Sequence, residues 1–225
     1  MSSTWLIERK AVADTARKMS VLGLVTGTSG NVSTRLGLGG DGVELMAVTP
    51  SGQSYDLLAA GDIVVVDFEG EPVEGELVPS TESLLHGAIY QARAEVGAVI
   101  HTHSVYSSAL AVAGLEIPAV IDEVAIHLGG PVRVARYAFP GTQELAVHVC
   151  VALEGRKAAL MANHGAVCVG GDLQEALEVS TLLERVAEIF VHASAMGGAI
   201  QLPQEVTEAE QEIYRMQNPD DNGAS

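Results

Sequence analysis

Basic residues are scarce: 12 lysines and arginines stand against 29 acidic residues in 225, a formal net charge of −17. A surface of that sign repels a phosphate backbone instead of neutralising it, which excludes nucleic acid as a partner. The three lysines, Lys10, Lys18 and Lys157, fall on predicted helices or in a turn, where solvation accounts for them. Cysteine is nearly absent too. Cys150 and Cys168 both lie in alanine- and valine-rich surroundings and read as small buried thiols, so no disulfide framework is expected. No run of about 18 apolar residues occurs, and the opening MSSTWLIERKAVAD turns polar too early for the apolar stretch of a signal peptide. A cytoplasmic protein with no membrane partner is expected. Neither an internal repeat nor a low-complexity linker is present, so one domain over 1–225 is the simplest count, with a polar tail fraying from about 218 to 225.

What is present is apolar material: 48% hydrophobic residues, enough at this length for a well-filled core. Leu6, Val12, Ala16 and Met19 recur at helical spacing and predict a helix from about Ser3 to Leu22, closed by Gly23. NVSTRL after the glycine-rich GLVTGTSG, then VELMAVT (43–49) and DIVVVD (62–67), read as strands. STESLLHGAIYQARAEV (80–96) begins with a capping hydroxyl and carries a helical apolar stripe. Further along, 98–101, 132–138, 158–162 and 166–169 read as strands. Helices are predicted at 106–113, from Thr142 to about Leu153, and from a cap at Asp172 to about Ala195. Strands crowd together early and alternate with helices later. A single-domain, three-layer α/β/α fold with a central, mainly antiparallel or mixed sheet follows.

The chemistry concentrates in few places. Alternation along a strand turns His101 and His103 the same way with only Thr102 between them, a chelating pair. His164, in MANHGA, again stands where an apolar strand meets a glycine. Three neutral imidazoles with an open fourth position are what a catalytic zinc site uses, although an isolated H-x-H is also met as a polar strand end. His86, His127, His148 and His192 lie in helical segments without a second histidine nearby and read as surface or satisfied core residues. Glu82, in the first turn after Pro79-Ser80-Thr81, is either a charge complementing the helix dipole or a general base near a metal. Three loops, around Thr28-Ser29-Gly30-Asn31, Pro50-Ser51-Gly52 and Pro79-Ser80-Thr81, combine small polar side chains with free backbone N–H groups. That is the composition of anion-binding nests, or of ordinary turns, and none contains lysine or arginine.

With these residues in view, the chain resembles the class II aldolase/adducin family, of the L-fuculose-phosphate aldolase type. GTSGNVS (27–33), VTPSG (48–52), PSTE (79–82), HTH (101–103) and NHG (163–165) occur in the family's order and approximate spacing. The resemblance implies zinc held by His101, His103 and His164, with Glu82 as catalytic base. It implies a substrate phosphate held by Thr28, Gly30, Asn31, Ser51, Gly52, Ser80 and Thr81. The reaction it implies is reversible cleavage of a small ketose 1-phosphate to dihydroxyacetone phosphate and an aldehyde, with no Schiff-base lysine, in a homotetramer whose active sites lie at subunit interfaces. A decarboxylase, epimerase or dehydratase acting on a phosphorylated sugar or sugar acid is the alternative, and a non-catalytic adducin-like interaction module the remote one. There is one departure. The bacterial fuculose-phosphate enzyme protonates the aldehyde oxygen with a tyrosine after the matching Ile-Pro, whereas IPAVIDEVAIHLGG (117–130) offers Asp122 and Glu123. Asp122, or Tyr214 on the last predicted helix, is the substitute acid. The alternative for the two carboxylates is a helix cap or an interface contact.

Overall fold

β-Branched runs build the centre of the molecule: Val64, Val65 and Val66 are buried on both faces of their strand, as a strand covered by helices above and below requires. The computed structural model describes residues 5–40 and 42–219. In chain order the elements are α1 Leu6–Val21, β1 Asn31–Leu38, β2 Glu44–Val48, β3 Val64–Asp67, β4 Pro72–Glu74, α2 Ser83–Ala92, β5 Ala98–Thr102, α3 Val105–Ala113, α4 Asp122–Leu128, β6 Val134–Ala135, α5 Gln143–Leu153, β7 Ala158–Met161, β8 Gly165–Gly170, α6 Leu173–Ala195 and α7 Gln204–Gln217. Ser3 and Thr4 of the predicted first helix, and residues 220–225 of the expected tail, lie outside the described residues. Among the described residues no helix is long and apolar enough to cross a membrane.

The strands form one sheet in the order β4-β3-β2-β1-β5-β8-β7-β6. Every pairing is antiparallel except that of β6 with β7. Alternation along β5 divides the core. Val99 packs with Leu85, Ile89 and Tyr90 of α2 and Leu145 and Val149 of α5 on one face. Ala98 and Ile100 pack with Val12, Ala16 and Met19 of α1 on the other, where α3, α4 and α6 cover Ala158, Leu160, Ala166 and Cys168 further along the sheet. The expected three-layer arrangement with a mixed, mainly antiparallel sheet is therefore present. Both cysteines are free; Cys168 is buried and Cys150 half-buried.

Several boundaries differ from the periodicity. The strand predicted at 132–138 shrinks to Val134–Ala135, because it occupies the sheet edge with one neighbour, and Val132 instead bridges Ile117. The helix predicted from residue 80 begins at Ser83 and stops at Ala92. Its first residues are held outside the helix: the Ser80 N–H donates to the Thr49 carbonyl at 3.1 Å, and Pro79 bridges Pro50. The caps at Thr142 and Asp172 are present, accepting the N–H of Leu145 and Glu175.

α2 rides very close to the sheet. A Cβ on Gly87 would stand 1.9 Å from the Phe68 carbonyl oxygen. Helix propensity alone makes Gly→Ala favourable by about 1 kcal/mol, but a backbone carbonyl has nowhere to yield, so the clash wins. Gly87→Ala is expected to cost about 2–3 kcal/mol, measured as a fall in the urea midpoint at unchanged slope.

Candidate active site

The register of three strands sets out the site. Asn31 at the start of β1 lies opposite His101 near the end of β5, and His101 lies opposite Val167 of β8. His101 is fully buried, and its Nδ1 is 2.9 Å from the Ala166 carbonyl oxygen. A carbonyl only accepts, so Nδ1 carries the proton and Nε2 faces the site. Past Thr102 the His103 N–H donates to the Leu24 carbonyl at 3.1 Å, which sets its ring beside that of His101, with the two Nε2 atoms 2.8 Å apart. His164 comes from the turn joining β7 to β8, where Asn163 adopts a left-handed φ of 55°. Gly165 lets this turn pass under β5: a Cβ there would lie 2.3 Å from the Thr102 carbonyl oxygen. The ring centroids stand 4.7, 4.8 and 5.0 Å apart, and the candidate ligand nitrogens all lie within 4.8 Å of one another.

Glu82 completes the cluster. It is the N-cap residue of α2 and makes no side-chain cap hydrogen bond. Its carboxylate turns inward, only 5% of the residue being exposed. Oε2 accepts from Asn31 Nδ2 at 2.9 Å and lies 3.0 Å from His101 Nε2; Oε1 is 3.5 Å from His164 Nε2. Burial opposes the charge of Glu82, but His101, His164 and the Asn31 amide outweigh it and hold the carboxyl well below the usual range. His101 is likewise penalised by burial, yet the facing Glu82 raises its pKa. Burial, then His101 and His164, push His103 down to about 4, and burial followed by His101 lowers His164.

The donor set fits a divalent cation. Ring nitrogens of three histidines gather beside an ionised carboxylate, a set of lone pairs that one divalent cation satisfies together. A metal about 2.1 Å from each nitrogen matches the scale of the cluster.

The three loops gather at this same end of the sheet. Ser51 N–H donates to the Val78 carbonyl at 2.9 Å and the Pro50–Pro79 bridge sets the second and third loops side by side. The turn at 26–29, closed by Ser29 N–H to the Thr26 carbonyl, leads into Gly30 and Asn31. Thr28, Ser51, Gly52 and Thr81 are exposed, whereas Ser80 is buried and its Oγ accepts the Glu82 N–H. Asn31, expected to face the phosphate, directs its amide nitrogen at Glu82 instead. Sequence reasoning passed over Tyr55, whose hydroxyl donates to the Gly30 carbonyl and steadies the first loop.

A family model described as the class II aldolase and adducin N-terminal domain matches residues 10–191. The chain belongs to that family. Over 182 residues it is 41% identical to the 5-methylthioribulose-1-phosphate/5-deoxyribulose-1-phosphate aldolase of Rhodospirillum rubrum, spanning 81% of this chain and 79% of that protein. It is 37% identical over 187 residues to the L-fuculose phosphate aldolase of Escherichia coli, spanning 83% and 84%. A solved L-fuculose 1-phosphate aldolase superposes with a TM-score of 0.85 at 36% identity, covering 96% of this chain and 98% of that one.

Not every residue singled out in this class II aldolase chain reaches the cluster. Tyr214 is 2% exposed and packs by Gly129, its ring centroid 5.5 Å from Lys157 Nζ. Lys157 precedes β7, whereas His164 follows that strand's other end, so within one chain Tyr214 lies at the wrong end of the sheet. Asp122 is exposed at the first residue of α4, beside Glu210, and makes no hydrogen bond to the three histidines. His127 and His192 are exposed and His148 half-buried, as expected of surface residues. His86 is fully buried, its Nδ1 2.7 Å from Ser33 Oγ, and burial pushes its pKa down to about 3.

A further acid supports the metal cluster from outside it. Glu184 on α6 accepts hydrogen bonds from Ser104 Oγ, Ser107 Oγ and the N–H groups of Tyr106 and Ser107, at 2.7 to 2.9 Å. It caps α3 from a distance and so anchors the segment immediately after His103.

Two outcomes are expected. His103→Ala abolishes binding of a divalent metal, read as loss of the visible spectrum of a cobalt(II)-loaded protein. The second concerns acid. With a folded pKa of about 3 for His86 against about 6.5 unfolded, the unfolded chain takes up the proton first as pH falls. Stability is therefore lost from about pH 6.5 downward, at up to about 1.4 kcal/mol per unit. Urea unfolding at pH 7, 6 and 5 is expected to show a shallower decline for His86→Gln than for the parent.

Proposed function

We propose that this class II aldolase is a zinc enzyme that reversibly cleaves a small ketose 1-phosphate, of the L-fuculose 1-phosphate kind, into dihydroxyacetone phosphate and an aldehyde. The observation that carries the reading is the carboxylate of Glu82, buried against the three histidines with Oε2 3.0 Å from His101 and Oε1 3.5 Å from His164. A carboxylate held ionised inside a metal-ligand cluster is placed to move a proton at a carbon acid. A zinc ion bound by His101, His103 and His164 supplies Lewis-acid polarisation of the substrate's oxygens.

The remaining roles belong to the chain. Thr28, Gly30, Ser51, Gly52, Ser80 and Thr81 take the phosphate through neutral dipoles, which anchor the substrate with its C3–C4 bond over Glu82. Glu82 holds the proton exchanged at the dihydroxyacetone phosphate carbon. Asn31 keeps that carboxylate turned to the cluster and contributes to the phosphate site only through its backbone. The proton donor to the aldehyde oxygen comes from a second subunit of a homotetramer. Exposed Asp122 suits that task, whereas the enclosed Tyr214 does not. The two named relatives both act, by their names, on sugar phosphates, L-fuculose phosphate in one case and 5-methylthioribulose 1-phosphate or 5-deoxyribulose 1-phosphate in the other. Both substrate types are therefore to be offered.

Purified protein is expected to release dihydroxyacetone phosphate from L-fuculose 1-phosphate or 5-deoxyribulose 1-phosphate and to lose that activity on chelation. Glu82→Gln should retain metal while losing at least about 100-fold in kcat, the scale of general acid–base catalysis. Full turnover by Glu82→Gln, or carbon dioxide released from a sugar-acid phosphate in place of any cleavage, would contradict the reading.

A further inference from the structure

With no lysine or arginine in the three loops, whatever aims their donors matters more than in a site built on charge. A cation attracts phosphate over several ångströms, whereas a hydroxyl or peptide N–H has to meet an oxygen at about 2.9 Å and nearly in line. In a chain carrying −17 no long-range attraction makes up for slack. Donors of this kind bind well only if they are held in place before the anion arrives.

Two buried residues bracket the second loop, and each is tied to another of the three. Thr49, fully buried, stands immediately before Pro50. Its carbonyl accepts the Ser80 N–H at 3.1 Å, its N–H donates to the Val32 carbonyl at 3.0 Å and its hydroxyl accepts the Val32 N–H at 3.2 Å. The second loop is thereby fixed to the third and to the strand that leaves the first. Tyr55, 2% exposed, heads the short turn Tyr55–Leu57 that follows the second loop. Its ring belongs to the core formed by Leu24, Val25, Val32 and Leu58, and its hydroxyl donates to the Gly30 carbonyl. A carbonyl only accepts, so the direction of that bond is settled. Burial pushes the phenol up to about 12, which keeps the donor protonated. On its other side Gly30, at a φ of 72°, is pressed against β5: a Cβ there would lie 2.5 Å from the His101 carbonyl oxygen and 2.7 Å from Val25 Cγ1.

We propose that Thr49 and Tyr55 are positioning residues for the phosphate: by tying the second loop to the third and to the first, they make three separate turns into one preformed cradle. Both are enclosed and act through the loops. The proposal rests on the reading of these loops as the substrate's phosphate site, and its test separates the two ideas. Zinc-supplemented, ¹⁵N-labelled protein is titrated with inorganic phosphate, and binding is read from the backbone amide signals of Gly52 and Thr81. Cobalt(II) affinity, kcat and KM for the ketose 1-phosphate are measured beside it. Tyr55→Phe removes only the hydroxyl, Thr49→Val removes the side-chain acceptor of the Val32 N–H, and Thr49→Ser keeps that acceptor.

Tyr55→Phe and Thr49→Val are expected to weaken phosphate binding about five-fold or more and to raise KM in proportion, the scale of one lost hydrogen bond. Thr49→Ser stays within about two-fold of the parent, as do kcat and cobalt(II) affinity in all three variants, well below the effect of losing a support of the metal itself. Thr49→Val carries the test if Tyr55→Phe does not fold. Phosphate bound as tightly by the variants as by the parent overturns the proposal. So does a loss of cobalt(II) as large as the loss of phosphate, since that is general damage. A parent whose Gly52 and Thr81 signals ignore phosphate removes the anion reading of the loops and this proposal with it.

Discussion

A carboxylate out of water governs the design of this molecule. Taking Glu82 into the interior costs several kcal/mol unless its charge is met, and it is met from three directions: the amide of Asn31, the ring of His101 and the ring of His164. Each partner comes from a different part of the chain, so the sheet has to deliver them in register. Asn31 opposite His101 is a property of the β1–β5 ladder. The approach of His164 depends on the passage of Gly165 beneath Thr102. A slip of one residue in either ladder would turn the polar atoms to the wrong face and leave the charge unmatched.

The acidic surplus of the chain bears on what this site binds. Several of the cations have structural duties. Arg9 reaches the Ile63 carbonyl and Glu74, Arg35 reaches Glu44 and the carbonyls of Tyr90, Arg93 and Val96, and Lys157 joins Glu175 to Asn218. They fasten helix ends and strand edges. An anion arriving at the loops around Ser51 and Ser80 meets hydroxyls and peptide dipoles, and long-range attraction contributes nothing to its capture.

Much of this was legible in the linear pattern, for reasons of geometry. Two-residue spacing on a strand dictates that His101 and His103 fall together, and an apolar strand broken by a glycine marks the turn that brings His164 back. Strands of valine and isoleucine, and caps at Thr142 and Asp172, are local features and could be read locally. What escaped depends on partners distant in sequence. Nothing around Pro79 says that Thr49 will hold Ser80 outside the helix and so point Glu82 inward. The short β4 hides behind a proline, and β6 is clipped because the sheet ends there. Asn31 reads as a loop amide until its register with His101 is known. The tie of Ser33 to His86 and Tyr90 joins residues more than fifty positions apart. That Tyr214 packs by Gly129 and Lys157, away from the histidines of its own chain, is likewise set by partners distant in sequence.

The cap that Glu184 places on α3 has a mechanical side. Its helix, α6, runs 23 residues, about 35 Å at 1.5 Å per residue. Through one carboxylate this rod is hinged to the segment bearing His103. One imidazole of the trio thus owes its place to a carboxylate carried by a helix of the covering layer, whereas His101 is held within its own strand and His164 by the turn that enters β8.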